Sequence, residues 1–269
     1  MKIPIYQIDA FADKPFSGNP AAVCPLDKWI PDDIMQAIAA EMNLSETAFF
    51  VPRRGEAGVY DLRWFTPLVE VDLCGHATLA SGYVILNHLN PDLNQVIFHT
   101  RSGELRVEPR DEMLELVFPA NSPVVVTDVD EIDAVGAALG TTPVVVLHAN
   151  TTVAVFASES DVADLKPDFA AVSNLQQPWL VATAPADDEQ YDFVSRFFVP
   201  TTGINEDPVT GSTHTILMPY WSNRFGRNKL VGRQISTRGG TLYCELVGDR
   251  VKIAGDVVEV MLGELSVEL

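Results

Sequence analysis

Asn43 to Pro67 reads NLSETAFFVPRRGEAGVYDLRWFTP, and further along the chain Asn174 to Pro200 reads NLQQPWLVATAPADDEQYDFVSRFFVP. Asn43-Leu44 falls on Asn174-Leu175 and Tyr60-Asp61 on Tyr191-Asp192, at an offset of 131. A two-residue insertion then keeps Pro67 opposite Pro200. The likeness continues in order. CGHATLASGYVI, from Cys74, lies over TGSTHTILMPYW, from Thr210, at offset 136. TRSGELRVEPRDEMLELVFP (Thr100 to Pro119) lies over TRGGTLYCELVGDRVKIAGD (Thr237 to Asp256) at offset 137. Similarity that keeps its order while the offset grows slowly marks a duplicated structural unit.

Working outward from these blocks, aromatic and β-branched runs predict strands in each copy: TAFFV and LRWFT in the first, WLVAT and SRFFV in the second. A polar loop then leads to a helix, ATLASGYVILNHL or STHTILMPYW, and two more strands follow around a Gly turn. An amphipathic helix, PDDIMQAIAAEM (Pro31 to Met42), precedes the first copy, with Pro31 suited to a first turn. DVADLKPDFAAVS is expected to be its counterpart before the second. The expected fold is therefore α+β in two pseudo-symmetric halves. Residues 1–119 form the first, which the alternating run 257–269 is a candidate to complete, and residues 120–269 form the second. VFPANSPVVVTDVD (Val117 to Asp130) is the expected linker. Equivalent loops would face one another, and a cleft between the halves is the expected place for a small ligand.

The 269 residues carry 18 Lys and Arg against 37 Asp and Glu, a formal net charge of -19. Phosphate backbones and anionic membrane surfaces are repelled by such a field, so neither nucleic acid nor membrane is an expected partner. An anionic substrate would need local N–H groups or helix N-termini to overcome it. Three cysteines form no disulfide framework and suit a reducing compartment. The start MKIPIYQIDAFADKPF has no signal-peptide pattern, and no 18-residue uncharged apolar run occurs, so a cytoplasmic protein is expected.

Three places could carry chemistry. Glu46, in NLSETAFFV, shares a strand face with Ala48 and Phe50 if the run alternates. Desolvation there would raise its pKa towards that of a general base; the alternative is a solvent-facing glutamate at a strand edge. The repeat places Gln177, which carries no titratable proton at neutral pH, at the equivalent position. Cys74-Gly75-His76 opens a predicted helix, where Gly75 could adopt backbone angles other residues avoid and the free N–H groups could hold an anion. Alternatively, Asp72 or Thr78 merely caps the helix. NEDPVTGSTHT (Asn205 to Thr215) offers a matching cradle at Gly211 and Ser212 with Asp207 beside it, or else a simple Asp-Pro turn with Ser212 or Thr213 as the cap. No metal site is expected, since a lone Cys-x-His lacks paired ligands. No P-loop or Gly-x-Gly-x-x-Gly fingerprint occurs, so no nucleotide cofactor is expected.

These residues resemble the PhzF family, the phenazine-biosynthesis-like isomerases, and through it the wider diaminopimelate epimerase fold. The resemblance spans the chain: IYQIDAFADKPFSGNPAAVCPL (Ile5 to Leu26), IAAEMNLSETAFF (Ile38 to Phe50), RWFTPLVEVDLCGHATLASGYVI (Arg63 to Ile85), GINEDPVTGSTH (Gly203 to His214) and the RGG of Arg238 to Gly240. It implies two halves, each a sheet wrapped around a central helix, a cofactor-free cleft, and a homodimer. It also implies Glu46 as catalytic acid/base, His76 and Asp207 as supporting polar residues, and Gly75, Gly211 and Ser212 as substrate-binding helix starts. The characterised family reaction isomerises trans-2,3-dihydro-3-hydroxyanthranilate, so a small anionic metabolite is the expected substrate. Two rivals stand beside this. One is an amino-acid epimerase or racemase using Cys74, whose second cysteine is expected within EDPVTGS, where there is none. The other is a catalytically silent metabolite-binding protein.

Overall fold

The computed structural model describes residues 1–267. Glu268 and Leu269, the end of the expected C-terminal strand run, lie outside the described residues. The chain divides into two compact units, Met1–Phe118 with Ile253 onward, and Pro119–Lys252.

The first unit contains β1 (Lys2–Ala10), β2 (Asn19–Pro25), α1 (Asp32–Met42), β3 (Glu46–Pro52), β4 (Val59–Phe65), β5 (Glu70–Val71), α2 (Gly75–Val84), β6 (Val96–Thr100), β7 (Gly103–Arg110) and β8 (Met113–Pro119). A strand at Val257–Ser266 pairs antiparallel with β1. Antiparallel β1–β2, parallel β2–β3 and antiparallel β3–β4 follow, with β5 antiparallel and β6 parallel to β4. Helix α2 touches β1, β2, β3, β7 and the Val257–Ser266 strand. It has no polar stripe: every residue from Gly75 to Val84 except Tyr83 is buried, as expected of a helix enclosed on all sides. The other sheet face packs on α1, where Met35, Ile38 and Ala39 meet Ile5, Ala22, Cys24 and Phe49. Pro31 stands one residue before α1 rather than inside its first turn, and Asn43 closes the helix in the left-handed region at φ 51°.

Small residues let the sheet close on α2. A Cβ at Gly82 would lie 2.5 Å from Val107 Cγ1 and 2.8 Å from its Cβ. Gly82→Ala is therefore expected to destabilise the protein by about 1–3 kcal/mol through overpacking, despite alanine's better helix propensity. A urea-unfolding midpoint equal to or above that of the wild type would contradict this.

The second unit contains β9 (Val124–Val125), α3 (Val129–Leu139), β10 (Val145–His148), β11 (Thr152–Val155), α4 (Glu159–Ala163), α5 (Phe169–Ser173), β12 (Leu180–Pro185), β13 (Phe193–Phe198), β14 (Glu206–Asp207), α6 (Gly211–Phe225), β15 (Lys229–Gln234) and β16 (Gly240–Val247); β17 (Arg250–Gly255) follows. Its pairings repeat those of the first unit strand for strand: β10–β11 antiparallel, β11–β12 parallel, β12–β13 and β13–β14 antiparallel, β13–β15 parallel. Helix α6 takes the place of α2. Trp221 stacks on Phe193 at 5.9 Å, and its Nε1–H donates to Thr183 Oγ1 at 3.0 Å. The opposite sheet face carries α3, α4 and α5. Each unit is thus a sheet wrapped around one helix.

Two expectations are corrected. DVADLKPDFAAVS forms two short helices rather than one. Pro167 has no N–H and disfavours helical backbone at Lys166, and α5 restarts with Asp168 accepting from the N–H groups of Ala170 and Ala171. The end of the expected linker is folded: β9 pairs with β10, and Asp128 caps α3.

Candidate active site

Helix α2 begins at Cys74, whose extended backbone (φ −145°, ψ 117°) turns the chain out of β5, and no side-chain oxygen caps it. Asp72 points instead to Arg101, at 3.6 Å. Thr78 Oγ1 donates to the Cys74 carbonyl at 2.5 Å, inside the helix. Neither proposed cap is a cap, so the first-turn N–H groups keep the polarity that favours an anion. Gly75 is the first helical residue and is absent from the left-handed glycines. Its use is the missing side chain beside those N–H groups, not an unusual backbone angle.

Four polar side chains from three elements meet at this turn. Glu46 opens β3 opposite Ala21 of β2, and Asn19 opens β2. Because β3 alternates, Ala48 and Phe50 share the face of Glu46, and Phe50 packs edge-on to Tyr60 at 5.3 Å. His76 Nε2 lies 3.1 Å from Glu46 Oε2, with only 5% and 18% of the two side chains exposed. His76 Nδ1 lies 3.2 Å from Asn19 Nδ2 and 3.5 Å from Cys74 Sγ. Burial pushes the Cys74 thiol up, the Glu46 carboxylate adds to this, and the pKa reaches about 11. Burial works to lower the pKa of His76, but Cys74 and Glu46 outweigh it and hold the imidazole well above its ordinary value. With the thiol protonated at neutral pH, the charge that stabilises a protonated ring is Glu46.

One candidate ligand atom from each of Glu46, Cys74 and His76 can be chosen so that all lie within 4.8 Å of one another. Glu46 approaches Nε2 and Cys74 approaches Nδ1. That arrangement orients the ring and its protons; it does not aim both groups at one ring nitrogen.

The second unit repeats the turn with different chemistry. Thr210 stands at the N-cap of α6 as Cys74 does for α2, again without a side-chain cap. Gly211 and Ser212 follow as Gly75 and His76 do. Asp207 lies in β14 and accepts a hydrogen bond from Thr210 Oγ1. Buried Gln234 accepts from Thr210 N–H at 2.8 Å and donates to the Asp207 carbonyl at 2.8 Å. His214 Nδ1–H donates to the Thr210 carbonyl at 2.9 Å, the bond Thr78 makes in α2. Burial lowers the pKa of His214 to about 4, so this ring is a neutral packing residue against Phe193.

Strand register corrects the expected partner of Glu46. Phe65 pairs with Thr47 and Glu70, and Phe198 pairs with Leu180 and Glu206. The residue before Leu180 is Trp179, so Trp179 stands where Glu46 stands, and the two-residue insertion falls before β12. Gln177 lies outside the strand, donating to the Ala149 carbonyl at 3.2 Å.

Sequence reading missed Asn19, although GNPAAV lay within a family stretch. It also missed an arginine–glutamate clip that recurs in both units. Arg63 grips Glu70 through Nε and Nη2 at 2.7 and 2.8 Å. Arg196 grips Glu206 the same way at 2.9 and 2.9 Å. Each clip ties the short strand before a helix start to the long strand beside it. The signal was present in the aligned RWF and RFF, each with a glutamate a few residues on.

A duplicated α+β unit, each copy a sheet wrapped around one helix, is a fold of the diaminopimelate epimerase-like class. A probable proline racemase from Agrobacterium radiobacter K84 shares this fold, with a TM-score of 0.63 at 10% identity, covering 99% of this chain and 93% of that one. The family model of phenazine biosynthesis-like proteins matches residues 8–263. A protein named as an uncharacterized isomerase of Pseudomonas aeruginosa is 48% identical over 265 residues, 98% of this chain and 99% of that one. The crystal structure of a PhzF family protein from Enterococcus faecalis matches with a TM-score of 0.93 and 43% identity, covering 99% of this chain and 100% of that one. The chain belongs to the PhzF family.

Proposed function

We propose that this protein is an isomerase that shifts a proton between carbons of a small carboxylate-bearing metabolite, by family resemblance a dihydro-hydroxyanthranilate-like compound, without a cofactor. The observation that carries the reading is the buried Glu46–His76 contact at the uncapped start of α2. Glu46 takes a proton from an activated C–H and becomes a carboxylic acid. The electron pair moves into the substrate as an enolate, and the protonated Glu46 returns the proton to another carbon. The N–H groups at Gly75 and His76 hold the substrate carboxylate or the developing enolate, where fixed donors are worth most. His76 orients Glu46 and stabilises its anion. Asp207, Gly211 and Ser212 are proposed to hold further polar groups of the substrate. The same reading makes the enzyme a cytoplasmic homodimer. No helix among the described residues is long and apolar enough to cross a membrane.

A thiolate mechanism fits less well. With its pKa near 11, Cys74 would be ionised in about one molecule in 10⁴ at pH 7. Thr210 occupies the matching place in the second unit. The test is deuterium uptake from D₂O into candidate carboxylates. Cys74→Ala is expected to retain exchange close to the wild-type rate. Exchange abolished by Cys74→Ala yet preserved by Glu46→Gln would overturn the proposal in favour of an epimerase. Tight binding with no exchange by the wild type would leave a binding protein.

A further inference from the structure

We infer that Gln234 is a positioning residue that fixes the Asp207 carboxylate through Thr210 at the start of α6. Its kinetic consequence rests on the proposed hold of Asp207 on substrate; its geometry does not. Gln234 ends β15 and is fully buried. A buried amide needs partners for both N–H groups and for its carbonyl, and Gln234 finds all of them in one turn. Its Oε1 accepts from Thr210 N–H at 2.8 Å, while its Nε2 donates to the Asp207 carbonyl at 2.8 Å and to Thr210 Oγ1 at 3.3 Å. A backbone N–H only donates and a backbone carbonyl only accepts, so these partners settle which end of the amide is which. With Gln234 donating to it, the Thr210 hydroxyl turns its own hydrogen to Asp207 Oδ2.

The first unit builds the same turn without this network. Asp61, four residues before Phe65, pairs with His99, and Val194, four residues before Phe198, pairs with Arg233. Thr100 therefore stands where Gln234 stands, and it donates within its own hairpin, to the Gly103 carbonyl at 2.7 Å. Thr100 closes that hairpin against Gly103, and Gln234 closes its own against Gly240, so the longer second turn absorbs the difference from the sequence alignment. Val71 pairs with Trp64 as Asp207 pairs with Phe197, and Cys74 stands where Thr210 stands. What the units share is a serine: Ser102 Oγ donates to the Asp72 carbonyl at 2.7 Å, and Ser236 Oγ to the Pro208 carbonyl at 2.6 Å. The serine bonds serve the common fold. The glutamine–threonine–aspartate network is tied to the turn in which an aspartate replaces valine.

The experiment joins amide hydrogen exchange to a double-mutant cycle. Gln234→Met keeps the length of the side chain without its polar atoms, and its Thr210 amide is expected to exchange about tenfold faster than in the wild type. The kcat/KM for substrate deuterium exchange should fall on the order of 10²-fold, the usual effect of a misplacement near 1 Å. In an Asp207→Ala background the same substitution should cost no more than about twofold, because the group it positions is already gone. A merely structural role would give the full further loss in that background. That result, an unchanged Thr210 amide, or a Gln234→Met kcat/KM within about twofold of the wild type would overturn the inference. Gln234→Thr, which installs the residue of the first unit, takes the place of Gln234→Met if the latter does not fold. Failure of both to fold would make the residue structural and overturn the inference as well. A wild type that exchanges no substrate would remove the isomerase reading, while the Thr210 amide would still decide whether Gln234 holds the turn.

Discussion

Glu46→Gln is expected to lower the rate of substrate deuterium exchange by roughly 10²- to 10⁴-fold, the usual contribution of a positioned acid/base group. Glutamine keeps the shape of the side chain, and its amide can still lie against His76 Nε2. The strand start at β3 and the packing of Ala48 and Phe50 should survive, so thermal unfolding should shift little. Substrate binding should survive as well, because the N–H groups at Gly75 and His76 belong to the helix and not to Glu46. The loss should therefore appear in kcat, with KM nearly constant, as for an interaction needed only on the way to the transition state. Residual exchange reports what alignment and the anion-holding turn supply without a base. A Glu46→Gln rate within about tenfold of the wild type would assign proton transfer to another group.

The duplicated fold was legible because its signal is long. Three aligned stretches kept their order over most of the chain, and the strands TAFFV, LRWFT and SRFFV alternate strongly enough to be read singly. The central place of the helix GHATLASGYV was implied by the family resemblance, and its lack of a polar face is the physical reason for it. Less legible was anything set by backbone pairing. The polar loop NLQQPW aligns as well with NLSETA as with a shifted version, and only the hydrogen-bonded register shows that Trp179, not Gln177, matches Glu46. The break at Lys166-Pro167 was written in the sequence, since proline cannot continue a helix, but the repeat argument outweighed it. Glu46, His76, Gly75, Asp207, Gly211 and Ser212 were singled out as candidates through motifs. Asn19 was not, because its meaning is a contact with a ring far along the chain. The arginine–glutamate clips escaped for a related reason: surface charges are common in an acidic chain, and only geometry distinguishes a bidentate pair from a solvated one.

The clip carries the largest expected loss of stability. Arg63 donates to both oxygens of Glu70 and to Asp32 Oδ1 at 2.8 Å, and it lies over the rings of Phe65 and Trp29. Removing one partner of a largely buried pair leaves the other charged and poorly solvated, at a typical cost of 3–5 kcal/mol. Arg101 still reaches Glu70 Oε2 at 2.7 Å, so the expected cost of Arg63→Met is at the low end, about 3 kcal/mol, and the melting temperature should fall by roughly 6–12 °C. Arg63→Lys should recover only part of this, since an ammonium cannot grip both oxygens. The hydrogen bond from Arg63 is the largest influence on Glu70 and, with Arg101 assisting against burial, holds its carboxyl below the usual range. A depressed carboxyl stabilises the fold above its unfolded pKa of about 4.3, and that stability is lost as pH falls through the folded value. The gap between wild type and Arg63→Met should therefore be widest near neutrality and narrow in acid. Because Glu70 lies four residues before Cys74, loosening β5 also frees the start of α2, so activity at subsaturating substrate should fall more than the unfolded fraction explains. A gap of less than 1 kcal/mol in urea unfolding, or one independent of pH, would show that β5 is held by its backbone pairing to Trp64 and Phe65 alone.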